Sequence, residues 1–214
     1  MKYKIKEIRP NIFAVVVKDD YERAMLFCRV QEFYESPGVS FRDKKFSIWE
    51  YYRWYSRENF GSFSYPMDFV GFNLPLVVAK KCYEMNELET PYDIEMKKIV
   101  DDLYDDGKRN YLIGVDSLKN STFRHELAHA LYYSDLDYKS EMDDLTRALS
   151  EFNMSRFKRN LQAIGYCSGV VKDEIQAYMS TEINKKITRG IKNKKSLHQK
   201  YKSCLLYTSP SPRD

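Results

Sequence analysis

The stretch from Tyr111 to Tyr133, YLIGVDSLKNSTFRHELAHALYY, limits the possible folds of this chain more than any other part of it. A β-favouring run, YLIGV, comes first, and a short polar loop leads on into a helix-forming run. Ser121 and Thr122 are residue types that cap a helix start. Leu127, Ala128, Ala130 and Leu131 are good helix formers. A helix turns once in about 3.6 residues, so residues four apart share a face. The chain has 3 histidines, and two of them, His125 and His129, have that spacing. Their imidazoles therefore project together from one face, with Glu126 beside them.

The rest of the chain supplies a mostly helical frame. KYKIKEI and IFAVVV are β-favouring runs separated by Arg9-Pro10-Asn11, which predicts a hairpin. A helix is predicted from Tyr21 to Tyr34, capped by Asp19 or Asp20, with Ala24, Leu26, Phe27 and Val30 inward. Ser47 caps a second helix, IWEYYRWYSRE, whose aromatic residues read as packing residues or as a peptide-binding wall. Gly61 to Asn73 reads as an irregular aromatic loop, and Pro75 as the start of a helix through Tyr83. Thr90 caps the next helix, Pro91 takes its first position, Ile94, Ile99, Val100 and Leu103 form its apolar face, and Gly107 closes it. Helices are also predicted for Asp137–Phe152, Ser155–Ile164 and Val171–Ile187. The fold class is α+β, predominantly helical, in one domain spanning 1–187, with a small early sheet, one mid-chain strand and the His-bearing helix.

Composition narrows the function classes. No apolar run is long enough to span a membrane, and the basic N-terminus lacks the pattern of a signal peptide, so a cytoplasmic location is expected. The cysteines Cys28, Cys82, Cys167 and Cys204 form no CxxC pair, which argues for reduced thiols over disulfides or a cysteine metal cluster. The net charge of +4 comes from one place. Lys185 to Ser203 holds eight Lys or Arg and no acid, so 188–203 reads as a basic tail. Nucleic acid bound through Lys185–Lys202 is one partner such a segment would suit. The final residues, Cys204 to Asp214 (CLLYTSPSPRD), resemble residue for residue the in-frame translation of a transposon-type sequencing adapter. They are read as an artefact and left out of fold reasoning.

The chemistry rests on the two histidines. A catalytic zinc takes three protein ligands and leaves a fourth position for water. His125 and His129 can reach one ion without bending the chain, and Glu126 lies where a general base would take the proton of that water and pass it to the leaving amine. HELAH resembles the HExxH motif of the zincin zinc metallopeptidases, and the resemblance extends from about Tyr111 to Ser180. It implies Zn2+ held by His125 and His129, catalysis by Glu126, and a third ligand further along. It also implies that the strand before the helix offers its edge to an extended peptide.

Two acids compete for the third ligand. Asp135 lies six residues past His129, where zincins of the HExxHxxGxxH/D type place theirs, but Tyr132 stands where their glycine lets the chain turn. Glu174, followed by Ala177, resembles the Glu-x-x-Ala setting of the gluzincin branch, and is the ligand that this resemblance implies. Asp173 is an acceptor for a histidine N–H or a helix-start acid, and the second reading is preferred here.

The expected function is zinc-dependent hydrolysis of a peptide or protein substrate. Tyr132, Tyr133, Tyr166, Tyr178 and Arg124 are possible donors to the oxyanion. The alternatives are a non-catalytic zincin-like binding or virion-associated protein, and a nucleic-acid-associated protein acting through the basic tail. The segments EFYESP and FRDKKFSIWEYYRWYS are similar to proteins of phages and large viruses, a likeness that implies no activity.

Overall fold

The structure, a computed structural model, describes residues 1–37, 40–182 and 184–208. The fold is α+β and predominantly helical, with ten α-helices and four strands among the described residues. The chain falls into two compact units, Met1–Phe123 and Arg124–Asp214. No helix among the described residues is long and apolar enough to cross a membrane.

The first unit holds all four strands: β1 (Tyr3–Arg9), β2 (Ile12–Val17), β3 (Phe72–Pro75) and β4 (Tyr111–Val115). β1 and β2 form the predicted hairpin, turning at Asn11, whose φ of 69° is tolerated by an asparagine. The sheet order is β1-β2-β4-β3, with β2 and β4 parallel and the other pairs antiparallel. β4 therefore has a strand on each side, and the expectation that YLIGV offers a free edge is overturned. Its five residues are all buried, as suits a run with no polar alternation. The edge on that side is β3, which begins in the segment read from sequence as loop, Gly61 to Asn73, and ends at Pro75, read as a helix start. It escaped notice because four residues ending in proline are a weak strand signal.

The first unit also holds five helices, of which α1 and α4 pack on the sheet: α1 (Asp20–Glu35), α2 (Ile48–Glu58), α3 (Tyr65–Asp68), α4 (Leu76–Met85) and α5 (Pro91–Leu103). Asp19 caps α1, Ser47 caps α2 and Thr90 caps α5, the last two through reciprocal capping boxes. Ala24, Leu26, Phe27 and Val30 of α1 are buried as expected. In α5, Met96 takes the inward place assigned to Ile94, which is 58% exposed. α5 ends at Leu103, and Gly107 serves the turn beyond it with φ 80°. The aromatic residues of α2 contribute to the core: Tyr51 meets Phe41, Tyr55 and Tyr65 at ring distances of 5.2 to 5.9 Å.

Gly114 explains how closely α1 lies on the sheet. A Cβ there would sit 2.4 Å from Cε2 of Phe27, a fully buried ring stacked on Phe72 at 5.2 Å. Gly114→Ala is therefore expected to destabilise the protein by about 1–3 kcal/mol, the usual range for overpacking. A denaturant titration would show this as a lower midpoint at unchanged slope.

The second unit is entirely helical among its described residues. α6 (Ser121–Ser134) starts at the end of the first unit and runs into the second. It is capped by Asn120, whose Oδ1 accepts from the backbone N–H of Phe123 at 2.9 Å, and not by Ser121 or Thr122. α7 (Leu136–Arg147), α8 (Glu151–Gln162), a short 3-10 turn (Ser168–Val170), α9 (Val171–Thr181) and α10 (Lys194–Thr208) follow. α9 packs against α7, α8 and α10. It stops at Thr181, short of the predicted Ile187.

The segment read as a basic tail is folded. Ile187, Thr188, Ile191 and Tyr201 are buried. Asn160 donates to the carbonyls of Ile187 and Arg189, and Asn153 exchanges two hydrogen bonds with the backbone of Lys192. α10 continues into the adapter-like stretch as far as Thr208, with Cys204 and Leu205 buried, and residues 209–214 lie outside the described ones. All four cysteines are reduced thiols, and Cys167 is the exposed one.

Candidate metal centre

α6 and α9, both carrying parts of the second unit's core, bring together three of the residues singled out in the sequence. His125 and His129 stand one turn apart on α6, and Glu174 comes from the first turn of α9. One ligand atom from each lies within 4.8 Å of the others. The two Nε2 atoms are 3.2 Å apart. Glu174 places Oε1 3.6 Å from His129 Nε2 and Oε2 3.9 Å from His125 Nε2. Two ligands held at about 2.0–2.1 Å by a tetrahedral ion stand roughly 3.3 Å from each other. The three residues can therefore hold a metal ion with little rearrangement. Ala177 lies on α9 three residues beyond Glu174 and is fully buried, as the close approach of a small residue requires.

The hydrogen bonding of His129 fixes which nitrogen faces an ion. Its Nδ1 lies 2.8 Å from Oδ1 of Asp173. A carboxylate only accepts, so Nδ1 carries a proton and Nε2 is the nitrogen that faces the cluster, free to ligate once any proton on it is displaced. Asp173 is a first-turn acid of α9, as the preferred reading had it, and it is also the histidine acceptor, which that reading set aside. Both readings begin from the same position, because the first turn of α9 is what sets Asp173 against α6.

The other candidate ligand has a different task. Asp135 is the N-cap of α7, and its Oδ1 accepts from the backbone N–H groups of Asp137 and Tyr138, each at 3.0 Å. It does not belong to the convergent group.

The electrostatics suit one added cation. Burial, reinforced by the neighbouring His129, holds the pKa of His125 down at about 3. Burial also works against a charge on His129, but the carboxylates of Asp173, Glu174 and Glu126 outweigh it and hold that ring well above the usual histidine value. One positive charge is favoured between the two rings and a second is not. Glu126 is itself buried, at 7% exposure, and close enough for its charge to act on His129.

Among the five side chains considered as oxyanion donors, Tyr178 and Tyr166 lie in this neighbourhood. The ring of Tyr178 lies 4.5 Å from that of His125, and its hydroxyl is 3.2 Å from that of Tyr166. Burial and the charges of Glu174 and Glu126 raise the pKa of both tyrosines, so both remain protonated donors at neutral pH. Tyr132 instead donates to Asp143.

Sequence reasoning missed Gln176 and Tyr138. Gln176 is fully buried on α9, with its Nε2 2.8 Å from Asp173 Oδ1 and 3.2 Å from the carbonyl of Ala128. Tyr138 donates to its Oε1 at 2.9 Å. A glutamine in a helix has no distinguishing signal, although its i, i+3 spacing from Asp173 was available. Comparison with family models, curated proteins and solved structures finds no match for this chain.

Proposed function

We propose that this protein is a zinc-dependent peptide hydrolase of the zincin class, gluzincin-like in its third ligand. The observation that carries this reading is the convergence of His125, His129 and Glu174 at ligand spacing, with Glu126 on the same helix. Two imidazoles and a carboxylate also suit iron(II). Glu126 favours hydrolysis, because a buried carboxylate next to the cluster is a base available for water.

When bound, zinc supplies Lewis acidity to the attacking water and to the scissile carbonyl. His125, His129 and Glu174 would hold it and leave one position open. Asp173 keeps His129 in the tautomer that offers Nε2. Glu126 takes the proton from water as oxygen attacks the carbonyl carbon, and returns it to the nitrogen as the C–N bond breaks. Tyr178, against His125 and paired with Tyr166, is the hydroxyl best placed to donate to the developing oxyanion.

The test uses the whole chain. Purified protein is expected to carry one zinc per chain and to cleave members of a peptide pool. Chelation should abolish cleavage, and added zinc should restore it. Cleavage indifferent to chelation would defeat the proposal, as would protein that takes up no zinc. Selective retention of iron would redirect it to redox chemistry.

A further inference from the structure

We infer that Gln176 is a positioning residue that sets the metal-binding geometry by holding Asp173 and α6 in register, an inference that rests on the metal-centre reading above. Its amide has a single satisfactory orientation. Asp173 Oδ1 and the Ala128 carbonyl can only accept, so both must face the NH2 group. The Tyr138 hydroxyl then donates to Oε1. Both donors and the oxygen of a fully buried amide are thereby used, which leaves the side chain no second rotamer at equal cost.

The consequence reaches the ligands along two routes. Asp173 Oδ1 is shared between Gln176 Nε2 and His129 Nδ1, both at 2.8 Å, so the glutamine fixes the carboxylate that fixes the ring. Ala128 immediately precedes His129, so the second N–H ties α9, which carries Glu174, to α6 at the ligand itself. Gln176 touches neither the ion nor a substrate. It acts on where Nε2 of His129 and the carboxylate of Glu174 point relative to each other, and outer partners of this kind typically alter metal affinity by about 10–100-fold.

The experiment measures zinc affinity by chelator competition in wild type, Gln176→Met, Asp173→Asn and the double variant, together with the cobalt(II) absorption spectrum of each. Gln176→Met should bind zinc at least about tenfold more weakly and shift the cobalt bands, which report ligand geometry. Because part of the effect passes through Asp173, the loss should be smaller in the Asp173→Asn background. Wild-type affinity and spectrum in Gln176→Met would overturn the inference, and so would equal losses in both backgrounds. If Gln176→Met does not fold, Tyr138→Phe carries the test, with affinity expected to fall about fivefold, the worth of one hydrogen bond. Unchanged affinity in that variant would then overturn it. Failure of the wild type to bind zinc would instead defeat the metal-centre reading on which it stands.

Discussion

Replacing Glu126 by glutamine is expected to lower peptide hydrolysis by about 10²–10⁴-fold, the usual contribution of a general base. Zinc should stay bound in the variant. Glutamine keeps the length and shape of the side chain but cannot accept a proton near neutral pH. It also leaves in place His125, His129 and Glu174, which form the convergent group. The measurement is kcat/KM on the cleaved peptide, paired with metal content and a melting curve. Loss of activity at full zinc occupancy assigns proton transfer to Glu126. Equal activity in the two proteins would remove it from the mechanism. Wild-type protein that holds zinc yet cleaves nothing would favour the alternative of a zincin-like binding protein. One side effect is foreseeable. Glu126 helps to raise the pKa of His129, so its neutralisation lowers that pKa and reduces proton competition for Nε2. Zinc affinity in Glu126→Gln should therefore not fall on that account.

How much of this could be read in the sequence depends on how local each feature is. The capping of α1 by Asp19, of α2 by Ser47 and of α5 by Thr90 is written within four residues, and each was legible. The face shared by His125 and His129 follows from helical pitch alone. Glu174 was picked out 45 residues further on because its spacing to Ala177 resembles a known ligand setting, and the structure brings its carboxylate to the two rings. Sequence reasoning failed where a role depends on what a distant element does. Asp173 looks like any acid at a helix start until α6 lies beside it. The central position of β4 depends on Ile12 pairing with Tyr111 and on β3, whose FNLP gives almost no strand signal. Ile94 lost its inward place to Met96 because a helix with apolar residues on more than one side does not reveal which side the core takes. The segment 188–203 read as a tail because its charges conceal Ile191 and Tyr201, which are buried in the fold, Tyr201 with its hydroxyl 3.1 Å from that of Thr146 on α7.

The identity of the third ligand sets the second large effect. Glu174→Ala is expected to weaken zinc binding by more than about 100-fold, beyond what loss of an outer partner causes. Two neighbouring acids serve as controls because each has a different task. Asp173→Asn should weaken binding by about 10–100-fold, since asparagine can still meet Nδ1–H through its oxygen but without the charge. Asp135→Ala should leave zinc affinity unchanged. Its carboxylate oxygen accepts two backbone N–H groups of α7, so its loss should appear as about 1 kcal/mol of stability, the usual value of an N-cap. Isothermal titration and chelator competition on the three variants give the order directly. Full zinc retention in Glu174→Ala with loss in Asp135→Ala would reverse the assignment of the third ligand and would require α7 to unwind at its start. Retention in both would mean that two histidines alone hold the metal. That outcome would leave the buried Glu174 carboxylate, less than 4 Å from each Nε2, balanced by the protonated form of His129 and not by the metal.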